Sequence, residues 1–113
     1  MSEPIIDPAT FAELQESAGA DFVIELVQTF LEEAPAMLQE LRDALASGNA
    51  EGYRRAAHSL KSNSLTFGAR TLGALAREQE LGGLPADRPP AALDALAQEY
   101  TRVAAALTEL CHD

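Results

Sequence analysis

Apolar residues recur three or four positions apart, the spacing of a helix face, in five segments of the chain. The pattern predicts five helices, at about residues 8–17, 20–46, 50–67, 69–81 and 90–111. Asp7 followed by Pro8 is typical of a helix start, because Asp caps free N–H groups and proline suits the first turn. Pro35 lies inside the second helix and should kink or break it. Gly68 should end the third helix.

Each of the four longer helices has one apolar stripe, and these stripes must be buried against each other. The connections between them are short, which favours antiparallel neighbours. We therefore expect an all-α fold, an antiparallel up-down-up-down four-helix bundle with the short N-terminal helix as a lid. The 113 residues suit a single domain over 1–113. Within it we expect a loose lead-in at 1–6 and a Gly- and Pro-rich loop at 82–90.

The charges are segregated along the chain. Residues 1–51 carry eleven acids and one base, residues 52–77 carry five bases and no acid, and residues 78–113 carry seven acids and two bases. The net charge of −10 disfavours nucleic acids and anionic membranes as partners. The acid-free window, residues 52–77, predicts an anionic target, either a phosphoryl group or a partner's carboxylate-rich pocket.

Other classes of protein and site are disfavoured by what the sequence contains. No apolar run approaches the roughly 20 residues of a membrane span, and the acidic start differs from a signal peptide. We therefore expect a cytoplasmic location. Cys111 is the one cysteine and should be a free thiol, and with His112 it is too small a set for a metal site. We expect no metal and no cofactor.

The third predicted helix combines a core side with a reactive side. Its core stripe consists of Tyr53, Ala57, Leu60, Ser64 and Phe67. His58 falls about 150° away from that stripe, on nearly the opposite side of the helix. It shares this side, called here the His58 face, with Arg54, Arg55, Lys61, Ser62 and Leu65. The pattern therefore predicts an exposed imidazole surrounded by cations.

The motif that begins at His58 resembles that of histidine-containing phosphotransfer (HPt) domains of two-component phosphorelays. The family pattern is His-x-hydrophobic-Lys-Gly, and the chain has His58-Ser-Leu-Lys61 followed by Ser62 and, further on, Gly68. The flanking helices are also placed as in that family, so the resemblance covers nearly the whole chain. Ser62 departs from the usual glycine. It is small enough to permit a partner's approach, but its added oxygen can alter docking.

The resemblance implies a function for His58. It would accept a phosphoryl group from the aspartyl phosphate of a receiver domain and pass it to another receiver, in a response regulator or a hybrid sensor histidine kinase. A neutral imidazole is a good nucleophile near pH 7, and Lys61 one turn away can offset the phosphoryl charge. No general base, oxyanion hole or metal cluster accompanies His58 in the sequence. We therefore expect a monomeric phosphoryl carrier that relies on its partners for catalysis, rather than an enzyme.

Further residues are assigned to the site by position. A family position that often carries Gln near the phosphoryl group corresponds to Glu80, with Gln79 beside it. Together with Ser62, these two residues are assigned to the phosphoryl neighbourhood. The residues predicted to contact a partner are Arg54, Arg55, Leu65, Gly68 and Phe22. Phe22 belongs to an apolar cluster broader than one core stripe. Either the first helix packs over the surplus or part of it forms an exposed patch for a partner, and both can hold.

An adaptor is the alternative function. In that case an HPt-like bundle would bind a receiver or kinase without carrying phosphate, and Ser62 would be the change that abolished transfer. The presence of both His58 and Lys61 argues against this alternative, because an adaptor needs neither.

Overall fold

The computed structural model describes residues 5–84 and 91–111, and within these ranges every regular element is a helix. The five helices are α1 Pro8–Ala18, α2 Ala20–Ser47, α3 Ala50–Thr66, α4 Arg70–Gly82 and α5 Ala91–Leu110. All five predicted helices are therefore confirmed, with ends that differ from the prediction by no more than one residue. The predicted loop is described as far as Leu84, and its remainder lies outside the described residues.

The start of α1 is fixed by its own cap and by the bundle. The Asp7 side chain accepts a hydrogen bond from Thr10 N at 3.3 Å, as expected for an N-cap. Asp7 N donates to Gly68 O at 2.9 Å, which joins this cap to the end of α3. Ile6 and Phe11 are buried in the core. The prediction of a loose lead-in therefore fails at Ile6, which packs as a core residue.

Pro35 is accommodated inside α2, which continues through it from Ala20 to Ser47 without a break. A proline has no N–H, so it leaves the carbonyl four residues earlier, that of Leu31, without its helical donor. Tyr100 of α5 supplies the replacement, because its hydroxyl donates to Leu31 O at 3.3 Å. The Tyr100 ring also packs edge-on against Phe30, with centroids 5.9 Å apart. A contact from another helix therefore offsets the break predicted at Pro35.

The four longer helices surround one core. Helix α2 packs on α3 and α5, and α4 packs on the same two helices, while α1 lies against α2 and α3 as a lid. Tyr53 near the start of α3 contacts Gln79 near the end of α4, so these two helices are antiparallel. The pair α2 and α5 is antiparallel as well, because Arg42 in the second half of α2 meets Asp94 in the first turn of α5.

The rotation of α3 about its axis decides which residues face solvent. All five residues of the predicted core stripe are at most 2% exposed. Burial of each large apolar side chain in this stripe contributes about 1.5–3 kcal/mol, so rotating the helix would be costly. Packing therefore holds His58 outward, as the sequence predicted, with 55% of its side chain exposed.

Candidate functional site

His58 is hydrogen-bonded to a carboxylate on the neighbouring helix. Its Nδ1 lies 2.6 Å from Glu80 Oε2. An ionised carboxylate only accepts hydrogen bonds, so Nδ1 carries the proton and donates it. In the neutral imidazole the lone pair then belongs to Nε2. The contact with Glu80 therefore favours the tautomer that leaves the lone pair on Nε2.

The same carboxylate also holds the cation of the motif. Lys61 Nζ lies 2.7 Å from Glu80 Oε1, and the side chains are 22% and 12% exposed. Among the residues that the structure describes, Oε1 has no hydrogen bond of good geometry, so the short Lys61 contact is an ion pair. The contact with Lys61, followed by the hydrogen bond from His58, lowers the pKa of Glu80. Glu80 is thus ionised near neutral pH and joins both residues of the motif.

Close packing of α3 on α4 brings Glu80 to His58. Gly73 provides part of this closeness, because a Cβ added there would lie 2.7 Å from Leu65 Cδ2. Neighbouring Gln79 differs from Glu80. It is half-buried, and its Oε1 accepts a hydrogen bond from the Tyr53 hydroxyl at 2.6 Å. Of the two α4 residues assigned to the phosphoryl neighbourhood, Glu80 contacts His58, whereas Gln79 is bonded to Tyr53 of the core.

The residues predicted to contact a partner divide into surface and buried positions. Ser62 is exposed one turn after His58, and Leu65 is 47% exposed. Phe22 at the start of α2 is 50% exposed, whereas Val23 beside it is fully buried. Part of the broad apolar cluster is therefore in the core and part is on the surface, and the contact of Phe22 with a partner stays a prediction.

Gly68 was expected to contact a partner, but it is buried. Its φ of 83° lies in the left-handed region, where glycine is favoured. A Cβ there would lie 3.0 Å from Thr10 Cβ and 3.1 Å from Asp7 O. The prediction that Gly68 belongs to the docking surface is therefore wrong. Its role is to let the chain turn after α3 where α1 packs closely.

Acids from outside the acid-free window neutralise several of its cations. Arg54 pairs with Glu51 at 2.7 Å, and Arg70 pairs with Asp7 at 3.3 Å. Arg55 is exposed and, within the described part of the chain, forms no ion pair. Much of the charge counted along the sequence is thus offset in the folded protein.

Arg77 is a cation that the sequence interpretation left unassigned. It is exposed on α4, one turn before Glu80. Its membership of the acid-free window was the available signal, but its position relative to His58 depends on how α4 packs against α3.

Comparison with known proteins agrees with this arrangement. The model of the Hpt domain family matches residues 25–112. The chain belongs to the Hpt domain family. It is also similar to histidine-containing phosphotransfer protein B (HptB) from Pseudomonas aeruginosa PAO1, whose crystal structure aligns with a TM-score of 0.84 and 29% identity, covering 97% of this chain and 96% of that chain. No curated protein matches.

Membership of the Hpt family confirms the resemblance and the helical-bundle fold, and it gives the chain a histidine phosphotransfer role in a phosphorelay. The described ranges contain no group of three or more His, Cys, Asp or Glu side chains arranged to hold a metal ion. No helix in the same ranges is long and apolar enough to cross a membrane.

Proposed function

We propose that Nε2 of His58 accepts a phosphoryl group from the aspartyl phosphate of a receiver domain and passes it to a second receiver. The observation that carries this proposal is the 2.6 Å contact between His58 Nδ1 and Glu80 Oε2, on an imidazole whose side chain is 55% exposed. It combines a fixed tautomer with access for another protein. The receivers would belong to response regulators or hybrid sensor histidine kinases.

Phosphoryl transfer to Nε2 does not require a proton to leave the imidazole ring. The Nε2 lone pair attacks phosphorus and forms the N–P bond, while the P–O bond to the receiver aspartate breaks and its electrons remain on the carboxylate. The ring gains one positive charge because Nδ1 keeps its proton. Glu80, already bonded to that proton, offsets the charge as it develops. In the onward step the ring leaves as a neutral imidazole.

The surroundings of His58 suit a carrier. The hydrogen-bond partner of its ring is the Glu80 carboxylate, which holds Nδ1–H, so Nε2 keeps its lone pair and needs no base to activate it. The proposed division of labour is that this chain supplies the nucleophile and the receiver supplies the groups that stabilise the transferring phosphoryl. Exposed Leu65 and Ser62, on the His58 face, would lie within the receiver contact.

The decisive experiment is to mix the protein with a radiolabelled phosphorylated receiver and follow the label. We expect acid-labile, base-stable phosphate on the wild type and none on His58→Gln. The matched control is His112→Gln, the same change at the other histidine. Helix content and thermal unfolding of His58→Gln should be close to wild type, because an exposed side chain supports little packing.

Two results would refute the proposal. The first is a folded His58→Gln protein that still accepts phosphate. The second is a wild type that binds a phosphorylated receiver without taking up label, which would favour the adaptor alternative.

A further inference from the structure

Arg77 lies on the side of α4 whose neighbouring residues contact the His58 face of α3. It follows Gly73 by four residues and precedes Glu80 by three, so the three residues share one side of α4. Glu80 contacts His58, and Gly73 lies so close to Leu65 that an added Cβ would be 2.7 Å from Leu65 Cδ2. Both contacted residues belong to the His58 face. Arg77 is therefore placed between two points at which α4 touches that face.

Two cations of the His58 face are already paired, whereas Arg77, like Arg55, has no ion-pair partner among the described residues. Lys61 is held 2.7 Å from Glu80, and Arg54 is held 2.7 Å from Glu51. Arg77 is exposed and has no ion-pair partner among the residues described. A new anion on this seam between α3 and α4 would meet a free guanidinium there.

Phosphorylation creates such an anion beside an existing carboxylate. The phosphoryl group adds negative charge on three oxygens, and Glu80 close to the ring is also negative. Lys61 already pairs with Glu80, so its charge would be divided between Glu80 and the phosphoryl group. Guanidinium groups suit phosphoryl oxygens because their N–H groups donate in a planar fork.

We propose that Arg77 binds the phosphoryl group carried by His58. The proposal rests on the proposed function of His58 and adds a second helix to the phosphoryl site. Arg77 would stabilise the phosphorylated form of this protein relative to the phosphorylated receiver. It would therefore help to set how the phosphoryl group is distributed between them at equilibrium.

The test is to measure that distribution with the purified protein and a receiver, at concentrations below the dissociation constant of their complex. Under these conditions the equilibrium constant for phosphoryl exchange depends only on the free, unbound proteins. It is therefore insensitive to docking, whereas the rate of phosphoryl transfer is sensitive to docking. Arg77→Ala should shift the constant toward the phosphorylated receiver by about three- to ten-fold, as for a partly exposed charge-assisted contact. Added salt should reduce the difference.

Two further variants sharpen the result. Arg77→Lys keeps the charge and should recover most of the shift. Arg42→Ala removes a cation paired with Asp94 between α2 and α5 and should leave the constant unchanged. The proposal is overturned if Arg77→Ala leaves the constant at the wild-type value. An unchanged constant with slower transfer would assign Arg77 to receiver docking instead. Failure of the proposed function is distinguishable, because the wild type would then accept no phosphate.

Discussion

Replacing Gly68 with alanine should destabilise the protein by about 2–6 kcal/mol, from two separate causes. A non-glycine residue held at positive φ costs about 1–3 kcal/mol, and φ here is 83°. Overpacking adds about 1–3 kcal/mol. The new Cβ would meet Asp7 O at 3.1 Å and Asp7 N at 3.2 Å, which are backbone atoms of the α1 cap and cannot turn aside as a side chain could.

Gly19 offers a matched control for this substitution. It also has a positive φ, 94°, but an added Cβ would have nothing within 4 Å. Gly19→Ala should therefore cost only the backbone part, about 1–3 kcal/mol. A larger loss in Gly68→Ala than in Gly19→Ala would report the contact of the turn with α1.

Urea unfolding followed by circular dichroism measures both variants on one scale, with the slope checked for constancy. Equal losses in Gly68→Ala and Gly19→Ala would refute the packing argument. A Gly68→Ala protein of wild-type stability with impaired receiver binding would restore the docking role that the sequence suggested.

Three further predictions concern the charges of the site. Lys61→Ala should slow phosphoryl acceptance by roughly ten-fold, because it removes a charge-assisted contact with the phosphoryl group. Rapid-quench assays measure this rate, and a wild-type rate would mean that Lys61 only pairs with Glu80. The double reversal Arg54→Glu with Arg55→Glu should slow receiver association by roughly ten-fold in stopped flow, and an equal effect from Arg42→Glu would assign the loss to net charge. Because the pKa of Glu80 is lowered from its ordinary value of 4.5, its carboxylate stabilises the fold above that pH and this contribution is lost as pH falls through the folded-state pKa. Glu80→Gln should therefore reduce the difference in unfolding free energy between about pH 6 and pH 3, and an unchanged difference would contradict the assignment.

The sequence predicted the helices and the outward direction of His58 because both depend on local periodicity. Tyr53, Leu60 and Phe67 recur at helical spacing, and their burial fixes where the remaining side chains point. No knowledge of neighbouring helices was needed for either prediction.

The contacts of the site were less accessible to sequence reasoning. That Glu80 holds both His58 and Lys61 depends on the register of α4 against α3, which close packing at Gly73 helps to determine. Resemblance to a family pointed to Glu80 with Gln79 beside it, and in the structure the Tyr53 hydroxyl donates to Gln79 while Glu80 contacts His58.

The sequence correctly indicated a cluster of cations in the acid-free window, but it overestimated how much of that positive charge stays unpaired in the folded protein. Arg70 lies in the acid-free window, yet its partner Asp7 comes from the other end of the sequence. Gly68 was misassigned for the same reason, because the α1 residues that pack against it lie about sixty positions earlier. A linear count cannot include partners that only folding brings together.

The bond from Tyr100 to the Leu31 carbonyl makes two distant positions depend on each other. This hydrogen bond stabilises the protein because Pro35 has no N–H to donate to the Leu31 carbonyl. With alanine at position 35 the helix would satisfy the carbonyl itself, and loss of the Tyr100 hydroxyl would then matter little. During sequence divergence the proline should therefore persist more readily where a hydroxyl-bearing aromatic occupies position 100, so these two sites should covary.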